Sequence, residues 1–311
     1  MSVPLVEKTR LSGVLFNDPR FHALHAPAGA RSLVLEHEED GRPVGALAGV
    51  LDGDVFTSGF SAPFGGVDLV KADETPGRIV ALVRAAVARL DELGVQTARV
   101  RCRPACHGAG EDAVRFALLN AGFVVEEADL AFVLDLRATP DAAAWLAARK
   151  APLRRALRHA DPERHELRDA DDWERAFALL EANRAVKGRR LSIGLDQVLA
   201  VREAFGERIR LAELRRDGAP VAAALTYRAS ERAELVVAWG DAGHDLERSP
   251  MPVLALRLVE RAIDEGLHAL DLGTSTLVAA DGSREPNDGL VQFKRVCGAA
   301  AELRPVLVRT R

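Results

Sequence analysis

Residues Leu211–Arg228 read LAELRRDGAPVAAALTYR, and this stretch decides the fold that the sequence predicts. Two apolar runs flank an Asp-Gly pair, which is a strong hairpin signal because glycine accepts the positive φ of tight turns. Residues Leu33–Val50 read LVLEHEEDGRPVGALAGV and repeat the same order, again with Asp-Gly between the runs. The sequence therefore predicts one β-hairpin twice.

The same further elements follow each predicted hairpin: a third strand, a helix with apolar residues at helical spacing, and a fourth strand. In the first copy these are Val55–Phe60, the helix between Pro76 and Gly94, and Thr97–Cys102. In the second copy they are Ala233–Gly240, the helix between Pro252 and Gly266, and His268–Gly273. This repeat predicts an α+β protein with two tandem domains, each a mixed, mostly antiparallel sheet flanked by helices.

The predicted domain boundary lies in Leu136–Trp145, where a strand ends and Pro140 begins helical sequence. We expect one domain over residues 1–138 and a second over residues 139–311. The chain has a net charge of −4, but its second half is the more basic one. An anionic ligand is therefore expected in the second domain.

The composition is that of a globular protein without a membrane-spanning segment. The 311 residues are 48% hydrophobic and 28% charged, and no apolar run is long enough to span a bilayer. The start, MSVPLVEKTR, lacks the features of a secretory signal, so we expect a cytoplasmic protein.

Its three cysteines are expected to be free thiols. Cys102–His107 (CRPACH) has no second ligand cluster, so we expect no metal site.

Six short stretches carry a family resemblance. They are NDPRF (Asn17–Phe21), SAPFGG (Ser61–Gly66), ANRAVKG (Ala182–Gly188), VAWGD (Val237–Asp241), LDLGTSTL (Leu270–Leu277) and NDGLVQFKRVCG (Asn287–Gly298). In this order they resemble the GNAT acyltransferase superfamily and its tandem branch, the Fem-type aminoacyltransferases and related acetyltransferase-like proteins. The resemblance implies transfer of an activated acyl group to an amine. The Ser/Thr cluster and the Phe-Lys pair occur only in the second copy, so we expect the first domain to bind the acceptor and the second to carry the chemistry.

Three residues are candidates for catalysis. Lys294, beside Phe293 at the position of the family's functional phenylalanine-lysine pair, could stabilise the oxyanion that forms when an amine attacks a carbonyl. Asp271, at the end of a predicted strand, could orient the amine, because an ordinary carboxylate is a poor base at neutral pH. Tyr227, the one tyrosine of the chain, could return a proton to a leaving group. A solvated lysine and a core tyrosine are the alternative interpretations.

Candidate substrate-binding residues fall into two sets. The first set surrounds the candidate catalytic residues or matches the family's stretches: Phe293, Thr274, Ser275, Thr276, Asn287, Trp239, Phe64, Gly65 and Gly66. The second set is basic and suits a polyanion such as a nucleotide, the pyrophosphate of coenzyme A or tRNA: Lys150, Arg154, Arg184 and Lys187. A solvated helix face would explain the basic set equally, and a polar turn would explain Thr274–Thr276.

The sequence leaves open whether the acyl donor is an acyl-CoA or an aminoacyl-tRNA. Neither repeat has the Gln/Arg-x-x-Gly-x-Gly/Ala loop with which GNAT enzymes bind pyrophosphate, which favours aminoacyl-tRNA. The net negative charge and the lack of an inserted helical arm stand against tRNA. We expect a small-molecule or peptide amine as acceptor, no tightly bound cofactor and no DNA partner. The alternative hypothesis is a non-catalytic tandem module that binds a nucleotide, peptide or tRNA.

Overall fold

The computed structural model describes residues 13–72, 74–243 and 249–311. The helices are α1 (Pro19–His25), α2 (Pro76–Glu92), α3 (Glu111–Asn120), α4 (Ala142–Ala147), α5 (Ala151–Ala160), α6 (Trp173–Val186), α7 (Leu195–Phe205), α8 (Met251–Asp264) and α9 (Asp288–Val296). The strands are β1 (Arg31–Glu39), β2 (Arg42–Asp52), β3 (Val55–Ser58), β4 (Val67–Leu69), β5 (Thr97–Arg101), β6 (Val124–Asp135), β7 (His165–Asp169), β8 (Ile209–Arg216), β9 (Ala219–Tyr227), β10 (Ala233–Asp241), β11 (Ala269–Thr274), β12 (Thr276–Val278), β13 (Arg284–Pro286) and β14 (Ala300–Thr310).

Both predicted hairpins are confirmed. At the turn between β8 and β9, Asp217 has φ 50° and Gly218 has φ 84°. Asp40 and Gly41 take the same conformation between β1 and β2, with φ values of 52° and 72°. Two successive positive φ angles give the turn the twist of the antiparallel strands that it connects.

The first compact unit runs to Leu130 and also contains Ala229–Glu231 and Leu303–Arg311. Its strand order is β1-β2-β3-β5-β14, with β4 also paired to β2. Only β3 and β5 pair in parallel among these strands; the other described pairs are antiparallel. The amphipathic helix α2 packs against β1 and β2, and its apolar face joins the core through residues such as Leu82 and Leu90.

The second unit comprises Ala131–Arg228 and Arg232–Glu302. It repeats the pattern of the first unit, because β8, β9 and β10 are antiparallel neighbours and β10 pairs in parallel with β11. The end of β6 pairs with β11, and β7 pairs with β8. Helices α6 and α8 both pack against strands of this sheet. The α+β fold class, with mixed and mostly antiparallel sheets, is confirmed.

The C-terminal strand pairs within the first unit. Residues Val306–Thr310 of β14 lie antiparallel to Thr97–Arg101 of β5. Contacts therefore divide the chain after Leu130 and assign Leu303–Arg311 to the first unit. The predicted division into residues 1–138 and 139–311 runs straight along the sequence and stays a prediction.

All three cysteines are free thiols, as predicted, and Cys102 and Cys297 are buried. None of the helices in the described part of the chain is both long enough and apolar enough to cross a membrane.

Candidate active site

Helix α9 carries the phenylalanine-lysine pair, and its sequence explains its ends. The side chain of Asn287 caps the helix by accepting the backbone N–H of Leu290 at 3.4 Å. Gly298 follows the helix with φ 93°, a conformation that favours glycine. Between these ends the side chain of Lys294 is buried, whereas Phe293 is half-buried. The predicted short helix over NDGLVQFKRVCG is confirmed.

The ammonium of Lys294 is fixed at the carboxyl end of β11. Its Nζ donates to the carbonyl oxygens of Gly273 and Thr274, both at 2.9 Å. It also lies 5.7 Å from the ring centroid of Phe132, within range of a cation–π interaction. Lys294 is only 1% exposed, so its charge is held in a largely water-free environment. The alternative of a solvated lysine does not fit this geometry.

A bulge in β11 turns these carbonyls toward Lys294. The pairing of β11 with β6 shifts register between Asp271 and Thr274, and Gly273 takes φ 72°. The carboxylate of Asp271 accepts the backbone N–H of Gly273 at 2.8 Å and so stabilises the bend. This local break in the strand gives a buried ammonium two backbone acceptors.

Two adjoining cavities lie beside these residues. The smaller one, here called the lysine cavity, has a volume of about 330 Å³ and is lined by Lys294 and by Thr274, Ser275 and Thr276. The larger one, here called the aromatic cavity, has a volume of about 590 Å³ and is lined by Trp239 and Phe293. The residues that line both are Arg184, Arg189, Trp239, Asn287 and Leu290. The structure thus brings most of the predicted site residues of the second domain together.

Trp239 and Phe293 form the apolar part of the aromatic cavity. Their ring centroids are 5.4 Å apart and their planes meet at 65°, an edge-to-face arrangement. Trp239 comes from β10 and Phe293 from α9, so the contact joins a strand of the sheet to the helix that carries Lys294. This wall suits a planar or aliphatic part of a substrate.

Asn183 is a site residue that the sequence prediction missed. Its buried amide donates to the backbone oxygen of Asp241 at 3.1 Å and to its Oδ1 at 2.8 Å, and accepts from Lys187 Nζ at 2.9 Å. Gly240 must be small here, because an added Cβ would lie 2.6 Å from Asn183 Cγ. The available signal was the asparagine inside an otherwise apolar helix face, in the quoted stretch ANRAVKG.

The basic residues of the aromatic cavity perturb one another. Burial and the neighbouring charge of Arg189 lower the pKa of Arg184 below its ordinary value. Burial also lowers the pKa of Lys187; Asp241 opposes this shift, and the charges of Arg184 and Arg189 add to it. This wall therefore carries an excess of positive charge that its own acid does not compensate.

Asp271 and Tyr227 line neither of these two cavities. The Asp271 carboxylate accepts the backbone N–H of Gly273. Leu235 lies opposite both Asp271 and Tyr227 in the strand registers, which places the three side chains on one face of the sheet. Burial raises the pKa of the Tyr227 hydroxyl above its usual value. The catalytic roles of both residues stay predictions.

Lys150 and Arg154 are exposed at the start of α5, whose apolar face is buried through Leu153 and Leu157. Neither basic residue lines the two cavities. Their predicted contact with a polyanion stays a prediction.

Phe64, Gly65 and Gly66 make internal contacts in the first unit. The Phe64 ring is fully buried and packs against His107, with 4.6 Å between ring centroids. The backbone N–H of Gly65 donates to the carbonyl of Arg101 and that of Gly66 to Ser58 Oγ, both at 2.9 Å. Because these N–H groups already have acceptors, the geometry gives no separate support for the predicted substrate contact, which stays a prediction.

Comparison with known proteins gives one domain match and a set of structures with the same fold. Residues 147–294 match the acetyltransferase (GNAT) domain family. The fold is similar to that of FemX, with a TM-score of 0.71 at 12% identity over 96% of this chain and 93% of the FemX chain. No curated protein matches the sequence.

Two further structures share the fold at lower similarity. One is the C-terminal domain of a putative lysylphosphatidylglycerol synthetase from Agrobacterium fabrum, with a TM-score of 0.54 and 15% identity over 90% of this chain and 84% of that one. The other is L-PGS from Bacillus licheniformis, with a TM-score of 0.53 and 12% identity over 97% and 94% of the two chains.

These structural comparisons define the fold of the chain as GNAT/Fem-like. The stretch that matches the acetyltransferase (GNAT) domain family, residues 147–294, lies within this fold and spans just under half of the chain.

Proposed function

We propose that the protein transfers an activated acyl or aminoacyl group to the nitrogen of an amine and so forms an amide. One observation carries the proposal: the buried ammonium of Lys294 lies in the wall of a cavity, fixed by the carbonyls of Gly273 and Thr274. In the same wall the hydroxyl of Ser275 is buried without a hydrogen-bond partner among the described residues. An unpaired buried hydroxyl costs free energy, and a rotation of the Ser275 side chain toward the lysine cavity would let it donate to a substrate oxygen.

The reaction follows from the charge of Lys294. The amine nitrogen attacks the acyl carbon, a C–N bond forms, and the carbonyl π electrons move to oxygen to give a tetrahedral oxyanion. The ammonium of Lys294 stabilises this negative charge. When the intermediate collapses, the carbonyl re-forms, the bond to the leaving group breaks, and the leaving sulfur or oxygen gains the proton that the nitrogen loses. The leaving group departs as the thiol of coenzyme A or as a ribose hydroxyl of tRNA.

The aromatic cavity supplies the room that a second substrate needs. It adjoins the lysine cavity through shared residues such as Trp239 and Asn287, so a group bound against the Trp239–Phe293 pair would approach Lys294. We propose a small-molecule or peptide amine as the acceptor. The donor is an acyl-CoA or an aminoacyl-tRNA used as a co-substrate, without a tightly bound cofactor.

The test is product formation measured by mass spectrometry. The protein is incubated with a panel of acyl-CoA species or aminoacyl-tRNAs together with a panel of amines, and amide products are followed over time. A product that accumulates with time and protein concentration is the expected result, and the active arm identifies the donor. Binding of a donor without any product from either arm would reject the enzyme and favour the non-catalytic binding module, which the missing pyrophosphate loop also suggests.

A further inference from the structure

The end of α6 forces two like charges together. Gly188 has φ 67°, and its N–H donates to the carbonyl of Ala185 at 2.9 Å. The N–H of Arg189 donates to the carbonyl of Arg184, also at 2.9 Å. These two bonds form a Schellman turn, which reverses the chain just after the helix. Arg184 and Arg189 are thereby held beside one another.

Nothing in the described part of the chain neutralises this pair. Neither Arg184 nor Arg189 has an ion pair or side-chain hydrogen bond with another described residue, whereas most other arginines of the second unit contact an acid, a carbonyl or an aromatic ring. Burial lowers the pKa of Arg184, and the neighbouring charge of Arg189 adds to that shift, as expected for two like charges held close together. An anion that binds between two adjacent guanidinium groups is attracted by both of them and can accept hydrogen bonds from both.

The two cavities are also lined by more basic than acidic side chains. Together they are lined by five basic side chains: Arg184, Lys187, Arg189, Arg190 and Lys294. Among the described lining residues the one acid is Asp241, and its Oδ1 already accepts from the amide of Asn183. This concentration of positive charge occurs in a chain whose net charge is −4. A cleft lined by one sign of charge attracts ligands of the other sign.

We propose that Arg184 and Arg189, with Lys187 beside them, form an anion subsite that binds a phosphate or carboxylate group of one of the two substrates. The inference rests on the proposed function, because it assigns a charged group to a substrate of that reaction. Both arginines line both cavities, so an anion on them lies at the junction of the aromatic and lysine cavities. A guanidinium binds the planar or tetrahedral oxygens of such groups through two parallel hydrogen bonds.

Isothermal titration calorimetry with small anions tests this subsite without any turnover. Inorganic phosphate, pyrophosphate and succinate are titrated into the whole protein at constant ionic strength, because salt screens exposed charges. We expect wild type to bind at least one probe, and we expect each of Arg184→Gln and Arg189→Gln to weaken that binding about tenfold. Tighter binding of the phosphate probes assigns a phosphate-bearing substrate, and tighter binding of succinate assigns a carboxylate.

Arg155→Gln is the matched control, because Arg155 is an exposed arginine of the same unit that lines neither cavity. Circular dichroism and the melting temperature show whether each variant is folded. If the Arg184 variant fails to fold, Arg189→Gln still provides the test, since Arg189 is exposed.

Absence of probe binding to wild type would overturn the subsite, as would equal weakening by the control. These outcomes are independent of product formation. Loss of the subsite would leave measured acyl transfer standing, and absence of transfer would leave measured anion binding standing.

Discussion

Replacing Lys294 by methionine removes the charge and keeps the length of the side chain. The structure gives two separate consequences. The buried carbonyls of Gly273 and Thr274 lose a donor that lies 2.9 Å from each, and an unsatisfied buried polar group costs about 1–3 kcal/mol. We therefore expect the free energy of unfolding to fall by about 2–6 kcal/mol, the sum for the two carbonyls.

The second consequence is a loss of catalytic rate. If the ammonium stabilises the oxyanion, its loss removes a transition-state interaction, and removal of one such donor typically lowers the rate about 100- to 1,000-fold. We expect kcat/KM of Lys294→Met to fall by that factor, with the loss mainly in kcat. The assay is amide formation with the donor identified for wild type, measured at least ten degrees below the variant's own melting temperature, a margin of roughly the shift that a few kcal/mol produces.

Lys71→Met is the control for loss of a lysine as such, because Lys71 is exposed in the first unit. It should change neither the free energy of unfolding nor kcat/KM. A folded Lys294→Met protein with wild-type kcat/KM would refute the assignment of Lys294 to the oxyanion. A rise in KM with kcat unchanged would mean that Lys294 binds the ground state and the transition state equally well.

Three further predictions concern separate features of the chain. Trp239→Leu removes the edge-to-face contact with Phe293, and denaturant unfolding should show a loss of at least about 0.5–1.5 kcal/mol, the usual contribution of such an aromatic pair. Gly188→Ala meets no atom within 4 Å but must take φ 67°, so denaturant unfolding should show a loss of about 1–2 kcal/mol, whereas Gly77→Ala in α2 should be neutral or stabilising. His22 is fully buried, and burial lowers its pKa to about 4, so between pH 6.5 and 4 the unfolded chain binds a proton that the native protein does not. Stability should therefore fall as pH drops through this window, by at most about 3 kcal/mol, and His22→Gln, unlike His159→Gln at an exposed position, should remove that part of the pH dependence.

Local signals in the sequence were sufficient for the elements of the fold. The Asp-Gly pairs fixed both hairpin turns, because few other residue pairs accept two successive positive φ angles. Pro76 marked the start of α2, which begins at that residue. The pairing of β14 with β5 was not predictable in this way, since it joins residues about 200 positions apart by hydrogen bonds that leave no local pattern.

The candidate site was predictable only in part. The resemblance indicated Lys294 and Thr274–Thr276, which line one cavity in the structure. Asp271 was expected to face the same cavity, but it is not among the residues that line it, and its carboxylate accepts the backbone N–H of Gly273. The sequence alone does not show which face of the sheet a strand residue points to when both of its neighbours are apolar and buried, as Leu270 and Leu272 are. Asn183 was missed because its role depends on contact with Asp241, which lies on a different element.

The most direct test of the account is the structure of the protein with a non-reactive analogue of the donor, in which the scissile bond is replaced by a stable ketone. We expect the carbonyl oxygen of the analogue to lie in the lysine cavity, within hydrogen-bond distance, about 2.7–3.2 Å, of Lys294 Nζ. An analogue bound with its carbonyl outside that cavity, and with the ammonium of Lys294 still contacting only protein, would contradict the proposal that acyl transfer takes place there.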